Sequence, residues 1–257
     1  MIQGTYTFFN EGFFGYSKEQ DFTMFSFWHF LPIILMIIAI VVIYKNKEKI
    51  LNWKYESAFR FIFSFIMLMV EMSYFWRSLY DGNQSSEGDL MDRLPIQICQ
   101  WGLIISSFMM MSKNKILYSI SYFITLIFAP IALVYPKVIS VTGPTYYRYY
   151  QFWLEHCMPI IAVFYMKFVY GYRPTYKGLL CATGILAVIA ILCAFANAAF
   201  PEADYLYVSM LPLPIDQSLK ILILSIPAFG IFNLLYFIQK FIHRKEKDNE
   251  LILEKNK

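Results

Sequence analysis

The chain has 257 residues and a formal net charge of +4, with 58% hydrophobic and only 16% charged residues. Soluble domains carry about 45–50% apolar and about 25% charged residues, so a water-facing globule is excluded. The Lys and Arg residues lie between apolar blocks and form no single stripe, so nucleic acid is not expected as a partner.

The first 23 residues contain Glu11, Glu19 and Asp21 and lack a basic leader region, so no cleavable signal is expected. A bilayer core of about 30 Å takes roughly 20 apolar residues per helix. Read that way, spans fall at about 24–44, 56–80, 94–111, 116–135, 150–170, 178–200 and 219–242. The third is short, and Pro130 and Pro136 are expected to break and stop the fourth.

Basic residues follow spans one (Lys45, Lys47, Lys49, Lys54), three (Lys113, Lys115) and five (Lys167, Arg173, Lys177). The C-terminal tail adds Lys240, Arg244, Lys245 and Lys247. Acidic residues hold the alternate loops: Asp81, Glu87, Asp89, Asp92, then Glu202, Asp204 and Asp216. Lys137 and Arg148 are the minor exception. The positive-inside rule makes the first set cytoplasmic. The expected fold is therefore an all-α, polytopic bundle of seven spans forming one membrane domain, N-terminus outside and C-terminus in the cytoplasm. Abundant Ile, Lys, Phe and Asn point to an AT-rich genome and a bacterial cytoplasmic membrane.

His29-Phe-Leu-Pro32-Ile-Ile and His156-Cys-Met-Pro159-Ile-Ile share a pattern in spans one and five. Two spans later, Leu94-Pro95 leading to Ile98-Cys99-Gln100 resembles Leu211-Pro212 leading to Ile215-Asp216-Gln217. A 3+1+3 parallel repeat would relate spans 1–3 to spans 5–7, with a site at the repeat interface.

Ionisable groups at membrane depth usually face the bundle interior and often mark function. At about 1.5 Å per helical residue, His29 and Cys99 lie about 8 Å below the outer end, His156 about 9 Å and Glu71 about 14 Å. Asn197 closes the set near the outer end of span six, and the inner half shows nothing comparable. Ser57, Arg60, Ser64, Glu71, Tyr74 and Ser78 form a polar stripe on span two. Cys99 with His156 makes a candidate nucleophile and base, with Glu71, Glu155 or Asn197 to orient the ring. Gln97 and Gln100 are placed to donate to an oxyanion. Cys157, Cys181 and Cys193 read as packing residues, no cysteine has zinc-ligand spacing, and no metal site is expected. His243 reads as a residue of the cytoplasmic interface. Tyr146-Tyr147-Arg148-Tyr149-Tyr150 reads as an interfacial belt, with Arg148 a candidate lipid-headgroup contact and Tyr205 and Tyr207 at the same mouth.

His29, Leu94-Pro95 with Cys99, Pro130, Pro136, Phe152 with His156, Asn197 and the Asp204-Tyr205-Leu-Tyr207 run resemble the bacterial YwaF-like membrane proteins. Those are related to the transmembrane protein 164 family. The resemblance covers most of the chain and implies seven spans. It further implies acyl transfer on membrane phospholipids, with Cys99 carrying the acyl group, His156 assisting and no cofactor. The alternative is a small-solute transporter or binding protein using the same polar cluster. A retinal-type receptor is not supported, because no Lys lies mid-span in the seventh segment. The sequence leaves the oligomeric state open.

Overall fold

The computed structural model describes residues 13–14, 22–80, 94–136, 143–200, 204–210 and 212–255, and of 74–80, 207, 210 and 245–255 the backbone alone. Glu11, Glu19, Asp21, Asp81, Glu87, Asp89, Asp92, Lys137, Glu202 and Leu211 lie outside the described residues. So do the side chains of Tyr74, Ser78, Tyr207, Lys245 and Lys247.

Among the described residues every regular element is helical. In chain order they are α1 (Phe27–Lys45), α2 (Lys47–Leu51), α3 (Glu56–Tyr80), α4 (Ile98–Ser112) and α5 (Lys115–Val134). Then follow α6 (Tyr147–Tyr170), α7 (Tyr176–Ala199), a 3-10 turn (Tyr205–Met210) and α8 (Gln217–Lys255). Five of them, α1, α5, α6, α7 and the Gln217–Arg244 part of α8, are long and apolar enough to cross a membrane.

Polarity sorts these helices by position. α1 is apolar all round, and only 6% of its most apolar stretch is buried. α6 carries Gln151, Glu155 and His156, and 72% of its stretch is buried. It packs against α1, α2, α3, α4 and α5. That is the arrangement hydrocarbon demands, because a polar side chain there must be satisfied by protein.

Side-chain contacts fix the helix directions. α1 runs parallel to α6, with His29 beside Trp153 near one end and Tyr44 on Phe168 near the other. α3 runs antiparallel to α6, since Tyr147 bonds Ser73 while Tyr165 bonds Glu56. α5 and α7 start at the same end, where Ser119 meets Thr175. α8 returns antiparallel to α7 through Ser218 on the Ala194 carbonyl and Tyr176 on Tyr236.

Two boundaries differ from the sequence expectation. α4 opens only at Ile98, because Leu94 to Ile96 form a turn and the Gln97 side chain caps the helix. α5 passes through Pro130 without ending. Proline removes one helical hydrogen bond, and packed membrane helices tolerate that loss. Pro32 shows how: it strips the Trp28 carbonyl of its helical donor, and the Tyr149 hydroxyl donates to that carbonyl instead.

The end where α4 stops holds a buried network that the sequence reading does not anticipate. Glu56 Oε1 accepts from Arg60 Nε at 2.8 Å and from the Tyr165 hydroxyl at 2.7 Å. Arg60 also donates to the Met110 carbonyl, and to that of Met111 at 3.3 Å. It thereby caps the carbonyls at the α4 C-terminus, where a cation suits the helix dipole.

α5 and α7 approach closely at Gly178. A Cβ on Gly178 would lie 2.0 Å from the Ser119 Cβ, whereas one on Gly184 would meet nothing within 4 Å. Gly178→Ala is therefore predicted to destabilise the bundle by about 1–3 kcal/mol, the usual cost of overpacking. Gly184→Ala serves as the neutral control. Thermal unfolding in detergent checks this, and equal midpoints for the two variants would refute the close approach.

Candidate functional site

The polar residues of α6 begin with a stripe. Arg148, Gln151 and Glu155 are spaced by three and four residues, so they share one face. Gln151 Nε2 donates to Glu155 Oε2 at 3.0 Å, and Arg148 Nη1 lies 3.7 Å from the same oxygen. The Arg148 and Glu155 side chains are only 14% and 10% exposed, so this is an interior ion pair. Arg148 faces Glu155 instead of the outer surface.

His156 projects beside Glu155. Its Nδ1 lies 2.8 Å from the Phe152 carbonyl, which can only accept. Nδ1 therefore carries the proton, and in the neutral ring Nε2 holds the lone pair. The ring is oriented by its own helix backbone, without a carboxylate. Pro159, four residues after Glu155, deprives the Glu155 carbonyl of its helical donor.

Three helices close a cavity around these groups. α4 contributes Cys99 and Gly102, one turn apart; α5 contributes Ile124, Thr125, Phe128 and Ala129; α6 contributes Glu155, His156 and Pro159. Its volume is about 10 Å³, the space of about one water molecule. A Cβ on Gly102 would meet Thr125 Oγ1 at 3.4 Å and Ile124 at 3.5 Å, ordinary van der Waals contact.

The other sequence candidates are divided. Glu71 on α3 stays near the cluster, within electrostatic reach of Glu155, Arg148 and Gln100. His29 does not. Its Nδ1 accepts from the Phe25 amide at 3.0 Å, so Nε2 carries the proton donated to the Leu133 carbonyl at 2.9 Å. Both nitrogens are committed, and the ring lies beside Trp153. Asn197 is also committed, exchanging two bonds with the Tyr205 backbone at 2.9 and 3.3 Å. Tyr205 itself is buried and accepts from the Leu94 amide at 3.3 Å.

Gln97 and Gln100 form a capping box at the head of α4, where their side-chain oxygens accept backbone amides. Gln97 Oε1 further meets the Leu206 amide at 3.4 Å. These bonds use the amide oxygens, so any donation to an oxyanion falls to the amide nitrogens. All four cysteines are free thiols, and Cys193 donates to the Ile96 carbonyl. Sequence reasoning missed the Arg148–Gln151–Glu155 stripe and Gly102. The three-and-four spacing was the available signal for the first, and the one-turn offset from Cys99 for the second.

Apolar helices packed around buried polar side chains define a multi-pass integral membrane protein. More particularly, the chain belongs to the TMEM164 family, whose family model matches residues 24–239. Comparison with curated proteins and with solved structures gives no match.

Proposed function

We propose that this protein is a thiol-dependent acyltransferase acting on membrane phospholipids, with Cys99 as nucleophile and His156 as base. The observation that carries this reading is that both residues line one cavity while the His156 Nδ1 bond leaves Nε2 to accept a proton. As Cys99 Sγ attacks the ester carbonyl carbon, its proton passes to His156 Nε2. The tetrahedral intermediate expels the lysolipid oxygen, which takes that proton. An acceptor hydroxyl then reverses both steps, giving its proton to His156, and Cys99 regains one. An ester group reaching Cys99 must widen this small cavity, and its acyl chains then lie along the helix surfaces. The chemistry balances without metal or cofactor.

The topology we propose has seven spans, adding α3 and α4 to the five apolar helices. Both alternate in direction with their neighbours within the bundle. At about 1.5 Å per residue α4 covers about 22 Å, and the turn from Leu94 extends it. Lys45, Lys113 and Lys167 lie at one end, which supports a cytoplasmic C-terminus. The cavity then lies in the outer half of a membrane that composition supports as bacterial. The 3+1+3 repeat is supported by its matched motifs, for Pro32 and Pro159 each free the carbonyl just before a histidine. α1 and α6, which carry them, run parallel. Thiol labelling on a cysteine-free background tests the orientation. Lys47→Cys and Lys245→Cys should be shielded from an impermeant reagent outside, and their labelling there would reverse the assignment.

Acyl transfer predicts a hydroxylamine-sensitive acyl adduct on Cys99 after incubation with phospholipid, read by intact-protein mass spectrometry. Cys99→Ser should lose nearly all turnover, and His156→Ala likewise. Combining them should add little, because nucleophile and base act as a unit. A small-solute transporter is the competing reading. An unmodified wild type together with a fully active Cys99→Ala variant would favour it and end the acyl-enzyme scheme.

A further inference from the structure

Glu71 is the buried ionisable group that acyl transfer leaves unused. It lies on α3, only 2% exposed, and among the described residues neither of its carboxyl oxygens has a hydrogen-bond partner. The groups facing it come from the two helices packed on α3. From α4 come Gln100 and Cys99; from α6 come Glu155 and Arg148, with His156 beside them. Tyr147, also on α6, has its hydroxyl committed to Ser73 at 2.6 Å.

The two carboxyl groups are not equivalent. Glu155 Oε2 receives Gln151 and the Arg148 guanidinium, whereas Glu71 receives neither. Gln100, the polar neighbour on α4, has its oxygen committed to the Gln97 amide, which leaves its uncharged amide nitrogen to face Glu71. Among the described residues, two carboxylates against one guanidinium leave a negative charge uncompensated. An ion held without a partner in a protein interior is strongly disfavoured, so the position calls for one positive charge. Among the described residues no three His, Cys, Asp or Glu side chains group to hold a metal ion. Glu71 is not in the wall of the Cys99 cavity, so an ammonium group entering there would not reach it.

We propose that Glu71 and Glu155 form a proton-binding pair, in which Glu71 holds one proton and Glu155 stays ionised against Arg148 and Gln151. Like charges sharing a site cannot both ionise cheaply, which is why one proton is retained. Its role rests on the acyltransfer reading: protonated Glu71 removes one of two negative charges facing Cys99, and so eases charge development on sulfur. The proton site itself does not depend on that reading.

Infrared spectroscopy of the full chain in detergent at neutral pH, compared between H2O and D2O, tests the proposal. The wild type should show the carbonyl stretch of a buried protonated carboxyl group, shifted by deuterium. The wild-type-minus-Glu71→Gln difference should contain that band, and Glu155→Gln should lose it as well, because the one remaining carboxylate then ionises against Arg148. Absence of the band from the wild type, or its survival in either Glu71→Gln or Glu155→Gln, would overturn the pair. If Glu71→Gln does not fold, the wild-type and Glu155→Gln spectra still decide. A band without any Cys99 adduct would remove only the acyltransfer reading, and an adduct without a band would remove only this proposal.

Discussion

A helix that carries Gln151, Glu155 and His156 cannot face hydrocarbon, and that single constraint organises the bundle. Water is missing from the bilayer core, so each polar side chain must find its partners in protein. α6 is accordingly enclosed by α1, α3, α4 and α5, while the uniformly apolar α1 takes an outside position. Enclosing α6 brings the heads of α4 and α6 together, and with them Cys99, Glu155 and His156. The buried Glu56–Arg60–Tyr165 network supports the far end of the same helices, with Arg60 holding the α4 C-terminus. One helix thus sets both the packing order and the place of the site.

The two histidines show how similar motifs acquire different chemistry. In each copy a proline three residues later frees the carbonyl just before the histidine. At His29 the released Trp28 carbonyl is taken by Tyr149, and both ring nitrogens are bonded to backbone. His156 has its Nδ1 bonded to its own helix, with the ring in the cavity wall. The first ring has no nitrogen left for proton transfer and serves as a pin between α1 and α5. The second has the tautomer a general base requires.

The all-helical membrane character was legible because long apolar blocks admit few other structures. Relative position along the helices was legible too, since residue count measures distance along a helix and Cys99 and His156 line one cavity. Azimuth was not. Depth matching grouped His29 and Asn197 with Cys99, yet neither lines the cavity. His29 sits beside Trp153, and Asn197 holds the Tyr205 turn. Arg148 looked like an interfacial residue because a charge near a span end normally snorkels outward. Glu155, 3.7 Å from its guanidinium, lies seven residues on, two helical turns along the same face. The Glu56–Arg60 pair was missed because spacing put Arg60 on the polar stripe of span two without showing that Glu56, at the span start, is covered by Tyr165.

The central claim is that Cys99 and His156 face each other across one cavity while His29 does not share it. A short bis-thiosulfonate cross-linker tests this on the full chain with Cys157, Cys181 and Cys193 replaced by Ser. With His156→Cys in that background, the account predicts an intramolecular link to Cys99, read by peptide mass spectrometry. His29→Cys should give none. Linkage of Cys99 to position 29 but not to position 156 would contradict the site described here.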